Sequence, residues 1–158
     1  MTAATQTPPA LQTWPLRLHP GDDLRRALEV AVAARGASAA FVMAGIGSLR
    51  QACVRLAGAG TALRIDADVE LLSLSGTVGA GGSHLHLSIA GPDGAVCGGH
   101  AAYGCLVRTT AEVLLALLPG WRFTRAVDPA TGYAELVARR RTPRPTPRPT
   151  PRRSRPRS

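Results

Sequence analysis

Three of the four histidines in this 158-residue chain lie within one short stretch, GGSHLHLSIAGPDGAVCGGH, which runs from Gly81 to His100. Imidazole nitrogens ligate zinc and similar divalent ions, and three of them leave a further coordination position open. The chemistry on offer is therefore a three-histidine ion site at His84, His86 and His100, with water or a ligand as the remaining partner. Whether the three rings can share one ion depends on how the chain turns between them.

Leu85, Leu87 and Ile89 alternate with His84, His86 and Ser88, the period of two of a half-buried strand. Gly91-Pro92-Asp93-Gly94 is turn chemistry, and Ala95 to His100 returns antiparallel. A two-residue turn on Pro92-Asp93 pairs Gly91 with Gly94 and turns His100 away from the other two. A three-residue loop, Pro92-Asp93-Gly94, pairs Gly91 with Ala95 and His86 with His100, so that all three rings share a face. The Pro-Asp-Gly order suits the second loop, a type I turn followed by a left-handed glycine. Cys97, three residues before His100, points to the opposite face of an unbulged strand and is not counted as a ligand. Glu112 is the nearest candidate general base if it reaches the site; an ion pair with Arg17 or Arg125 is the plainer role for it.

The charge distribution points to a second kind of chemistry. All 19 basic side chains are arginines, and nine of them lie after residue 138: Arg139, Arg140, Arg141, Arg144, Arg148, Arg152, Arg153, Arg155 and Arg157. Nothing acidic follows Glu135, so residues 1–138 are net neutral and the remainder carries the whole formal charge of +9. The Thr-Pro-Arg repeats place proline too often for helix or sheet, and an extended, disordered tail is expected over 139–158, as is a disordered start over 1–12. Such arms neutralise phosphates and insert guanidinium groups into narrow minor grooves, so the tail arginines are candidate DNA contacts. Thr150-Pro151-Arg152-Arg153 resembles short Ser/Thr-Pro-basic-basic minor-groove motifs; it lacks the central glycine of an AT-hook core.

The intervening length suits one domain with a real core. No apolar run is long enough to span a membrane, and the first residues lack the basic start and apolar middle of a secretory signal. Three cysteines (Cys53, Cys97, Cys105) do not make a disulfide scaffold; a reducing cytoplasm, with the thiols as small buried hydrophobes, is expected.

Several elements must position the histidines. Thr13 to His19 reads as a strand, and Asp22 or Asp23 caps an amphipathic helix reaching Ala34 and stopped by Gly36. Ala39 to Met43 is a short apolar run, followed by an expected flexible loop, Ala44-Gly45-Ile46-Gly47-Ser48. Those glycines suit a close backbone approach better than a phosphate cradle, for no Gly-Lys-Ser/Thr follows. Leu49–Leu56 and Thr61–Ile65 form a hairpin, and Asp68–Val78 a long strand. Val107–Leu118 fits either a buried helix or a strand. Trp121–Val127 and Gly132–Val137 form a closing strand pair. The fold class is α+β: a single domain with a central, mostly antiparallel sheet and one main helix near residues 22–34.

In order and spacing, LRLHPGDDL, AGIGSL, ELLSLSGTV, HLHLSIAGPDG, GGH, RTTAEV and TGYAEL resemble the plants-and-prokaryotes-conserved (PPC) domain over about residues 14 to 138. In plants that domain accompanies AT-hooks in DNA-binding nuclear proteins. The resemblance implies a trimer, a strand at Arg108–Leu115, and a metal site on His84, His86 and His100. It places Arg17, Gly45, Gly47, Ser48, Glu112, Arg125, Tyr133 and Glu135 on other motif positions. The functions it leaves open are a DNA-binding, nucleoid-associated or regulatory protein with a zinc-class ion, and a metal-dependent enzyme or small-molecule sensor.

Overall fold

Alternation in the first strand and a helical stripe after it set the N-terminal half. The structure, a computed structural model, describes residues 10–141. β1 (Gln12–Leu18) leads into α1 (Leu24–Ala34). Asp23 is the N-cap: its carboxylate accepts the Arg26 backbone N–H at 3.0 Å, satisfying an amide the first turn cannot. Leu24, Leu28 and Val32 recur at helical spacing and are buried, so the apolar stripe is the face that packs on the sheet.

The remaining strands are β2 (Ala39–Arg55), β3 (Leu63–Ile65), β4 (Val69–Gly79), β5 (Gly82–Ala90), β6 (Val96–Ala101), β7 (Leu106–Leu117), β8 (Trp121–Val127) and β9 (Ala134–Arg140). The main sheet runs β1-β7-β2-β4-β5-β6 with β3 beside β2, and every pairing is antiparallel. β6 also pairs back to the end of β2, Val54 with Ala101 and Arg55 with His100. The sheet therefore curls on itself, enclosing Leu49, Leu74, Leu85, Val107 and Leu115, with α1 packed against β4, β5 and β7. This is the α+β class, with a single helix among the described residues.

One expectation is corrected, one open alternative is resolved, and one boundary moves by a few residues. Ala44–Ser48 is not a loop: β2 runs unbroken from Ala39 to Arg55, and bulges near Met43, Ser48 and Arg50 absorb the irregularity. Its glycines serve close packing, because a Cβ on Gly47 would lie 2.3 Å from the Thr110 carbonyl oxygen and one on Gly45 would lie 2.9 Å from Leu74 Cβ. Of the two readings open for Val107–Leu118, the strand is the one formed: β7 is central in the sheet between β1 and β2, as the family resemblance implies for Arg108–Leu115. The folded domain also extends past 138. β9 carries Arg139 and Arg140, opposite Arg122 and Trp121, and the Arg141 N–H donates to the Gly120 carbonyl. At the other end β1 begins at Gln12. The remaining tail and N-terminal residues, 142–158 and 1–9, lie outside the described residues.

The β8–β9 pair is a separate two-stranded sheet anchored by Phe123, which is buried and packs edge-on against Phe41 at 5.6 Å. The Phe123 N–H donates to the Ser38 carbonyl, and the Ala80 N–H donates to the Phe123 carbonyl. Those bonds bring Arg125, Tyr133 and Glu135 to the edge of the histidine face.

Candidate metal centre

The hairpin uses the three-residue loop. The Gly94 N–H donates to the Gly91 carbonyl at 2.9 Å, closing the turn, and the Gly91 N–H donates to the Ala95 carbonyl at 3.0 Å. Gly94 sits at φ 78°, the left-handed position that the Pro-Asp-Gly order anticipates. The ladder then pairs His86 with His100, while Cys97 opposes buried Ile89 and shares its inward face.

Leu85, Leu87 and Ile89 fill the core, which turns His84 and His86 outward together. His84 Nε2 lies 3.0 Å from His86 Nε2 and 3.1 Å from His100 Nδ1, and the three ligand nitrogens all fall within 4.8 Å of one another. A tetrahedral zinc ion, with Zn–N near 2.0–2.1 Å, separates its nitrogens by roughly 3.3 Å. The two spacings from His84 are a few tenths shorter than this and the third stays within 4.8 Å, so modest ring shifts bring the three nitrogens to such an ion. Among the described residues this is the one cluster of three or more such side chains able to hold a metal.

Protonation favours ligation. Burial holds the His84 imidazolium pKa below its ordinary value, and the charge of Arg125 adds to the effect. Burial does the same for His100, with Arg55 next. Neutral imidazole is the ligating form, so both rings stay available below the usual histidine range.

The surroundings follow from the register. Arg55 is the β2 partner of His100, so Arg55, His100 and His86 stand in one row across three strands. On the other side Thr77 pairs with His84, and Arg125 donates to Thr77 Oγ1 at 3.2 Å. A cavity of about 800 Å³ opens there, lined by Arg25, Arg55, His84, His100, Arg125 and Glu135, among others. Tyr133 lines it too.

One supporting network had no signal in the sequence beyond an i, i+4 pair on α1. Arg25 donates to Ser83 Oγ at 2.9 Å, to the Ser83 carbonyl at 2.8 Å and to the Ala101 carbonyl at 3.4 Å. Glu29 accepts from Ser83 Oγ and from the Tyr103 hydroxyl at 2.8 Å. Ser83 precedes His84 and Ala101 follows His100, so the helix braces both histidine-bearing strands.

Other candidate residues divide by place. Glu112 does not join the histidines: it lies on β7 opposite Arg17 and lines a different groove, of about 540 Å³, with Arg17 and Gly45. No ion pair links Glu112 to Arg17 or Arg125 among the described residues; Arg17 donates instead to Thr110 Oγ1 at 3.2 Å. Ser48 is buried and hydrogen-bonds Thr109 Oγ1 at 2.7 Å. Arg139, Arg140 and Arg141 are exposed at the end of the β8–β9 pair, whereas Arg144, Arg148, Arg152, Arg153, Arg155 and Arg157 lie outside the described residues.

The chain is 46% identical over 129 residues to a bifunctional protein GlmU of Synechococcus sp. (strain JA-2-3B'a(2-13)). That match takes in 82% of this chain, which spans about a fifth of the relative's length, 20%. A hypothetical protein from Salmonella shares the fold with a TM-score of 0.81 and 34% identity, over 87% of this chain and 99% of that one. The metal-containing protein AF0104 of Archaeoglobus fulgidus matches with a TM-score of 0.69 and 28% identity, over 87% and 99% of the two chains. A family model described as the Plants and Prokaryotes Conserved (PCC) domain matches residues 5–119. With the motifs in order and the fold shared, the chain belongs to the Plants and Prokaryotes Conserved domain family.

Proposed function

We propose that this chain is a DNA-contacting, nucleoid-associated or regulatory protein of the cytoplasm, and that its domain holds a divalent ion of the zinc class on His84, His86 and His100. The observation that carries the DNA half is the placement of charge. β9 sets Arg139 opposite Arg122 and stacks Arg140 over Trp121 at 4.7 Å, and the chain continues directly into seven further arginines, six of them after Arg141. Phosphate neutralisation by such an array is non-specific, steeply salt-dependent binding. DNA binding has been suggested for proteins of Bacteroides thetaiotaomicron and Ralstonia eutropha that share this fold at 16% and 22% identity. The supporting measurement compares duplex binding by the full chain and by a chain ending at Arg141. Each lost phosphate contact lowers the slope of log K against log salt by about 0.9, so truncation is expected to flatten it by up to about 5. Equal slopes for both chains would exclude the tail as a DNA arm.

The convergence of three imidazole nitrogens supports the metal half. When bound, the ion supplies a Lewis-acid centre with an open position. The second reading, a small-molecule sensor or metal-dependent enzyme, is favoured by the cavity beside that position. Elemental analysis of the purified protein is expected to find one divalent ion per chain, lost in His86→Ala and His100→Ala and retained in His19→Ala. Equal metal content in all three variants would exclude the site.

A further inference from the structure

The cavity beside the histidines carries a charge imbalance that calls for a partner. Arg25, Arg55 and Arg125 line it against a single carboxylate, Glu135, and a divalent ion on the histidines adds two more positive charges. Two of the arginines are engaged by the protein. Arg25 is spent on Ser83, Ala101 and Glu29, and Arg125 on Thr77 Oγ1 and the Ala134 carbonyl. Arg55 is different, since its one side-chain hydrogen bond among the described residues is a 3.5 Å contact to the Ala59 carbonyl in the loop that follows it. It is also the cross-strand partner of His100, on the face the three rings share. A guanidinium held one strand away from an open coordination position is suited to a planar or tetrahedral oxyanion, which it grips with two parallel N–H bonds. The volume, about 800 Å³, falls in the range of small-molecule sites and exceeds the need of a lone inorganic ion.

We propose that this cavity binds a small molecule bearing a phosphate or carboxylate group, with the oxyanion placed between the open face of the three-histidine ion and Arg55, and with Arg125 closing the far wall. This rests on the metal reading above. It makes Arg55 a ligand-binding residue and gives the sensor reading a chemical class of effector.

The test uses the full chain loaded with cobalt(II), whose visible absorption reports its ligands. Titration with inorganic phosphate and, separately, with acetate is expected to shift the spectrum saturably for at least one of them, which also tells the two anion chemistries apart. Arg55→Gln is expected to weaken that anion at least ten-fold while leaving cobalt affinity unchanged, and Arg55→Lys to recover part of the loss. The cobalt spectrum itself shows that each variant is folded at the site. Absence of cobalt binding would overturn the metal reading and this proposal with it. Cobalt bound with a spectrum indifferent to both anions, or equal anion affinity in Arg55→Gln, would overturn this proposal alone. A shift produced by duplex DNA and by neither small anion would overturn the small-molecule assignment and move the site to the DNA contact.

Discussion

At the scale of single residues, the histidines stand beside a network of hydrogen bonds that runs from α1 to Ser83 and Tyr103. Burial acts to raise the Glu29 carboxyl pKa, but hydrogen bonds from Ser83, Tyr103 and Arg25 outweigh that and hold it below the ordinary 4.5. A carboxyl depressed on folding contributes stability that is present above the unfolded pKa and lost as pH falls through the folded one. Glu29→Gln is therefore expected to cost about 1–3 kcal/mol at pH 7. By pH 3 the difference from the parent shrinks, because the parent carboxyl is by then losing its charge as well. Urea unfolding at the two pH values measures this; a cost that does not change with pH would mean the charge is irrelevant to the network. The buried Cys105 thiol is at the other extreme. Burial pushes its pKa up to about 11, which suits a packing residue and not a nucleophile or ligand.

At the scale of elements, the site is a matter of how closely strands approach. Gly76 on β4 lies opposite Leu85, at φ 140°, and a Cβ there would fall 2.0 Å from the His84 carbonyl oxygen and 2.9 Å from Leu85 Cα. Both obstacles are backbone, so neither can swing aside. Gly76→Ala is expected to force β4 and β5 apart beside His84. The expected outcome is a loss of about 3 kcal/mol in unfolding free energy, with metal affinity reduced in the fraction that still folds. Thermal unfolding and metal content of the one variant check both parts. A variant as stable as the parent would show that the β4–β5 spacing is looser than the register implies. The hairpin loop acts at the same scale, since a connection that paired Gly91 with Gly94 would turn His100 to the opposite face.

At the scale of the whole molecule, the uncovered sheet face is apolar. Phe41, Met43, Ile46, Leu72 and Leu114 are all at least 40% exposed, and Ala44–Leu114 and Ile46–Glu112 are opposed pairs on that face. Patches of this kind mark interfaces, and the motif resemblance implies a trimer. The double variant Ile46→Lys with Leu114→Lys is expected to sediment as a monomer, with its circular dichroism and metal content retained, and the parent is expected to sediment as a trimer. A parent mass of one chain would exclude the trimer. An assembly of several copies would also bring several arginine tails to one duplex, and linkage raises the affinity of individually weak arms. Among the described residues no helix is long and apolar enough to cross a membrane.

Much of this was legible in the residues themselves. Alternating leucines set which way His84 and His86 point, because a strand has a strict period of two. Pro92-Asp93-Gly94 favoured the loop that pairs His86 with His100, because few residues other than glycine accept its left-handed corner. Asp23 and the Leu24, Leu28, Val32 stripe marked the helix, and the run of arginines marked a charged end. These are local properties, decided within a few residues of chain. What only the tertiary structure decided depends on contacts between distant segments. The glycine-rich run 44–48 became part of a long bulged strand because β7 packs flush against it. Glu112 went to a different groove because β1 and β7 pair far from the hairpin. Arg55 and the Arg25–Glu29–Ser83 brace reached the histidines because β6 closes back on β2 and α1 lies across β5, and no local pattern encodes closures over such sequence distances.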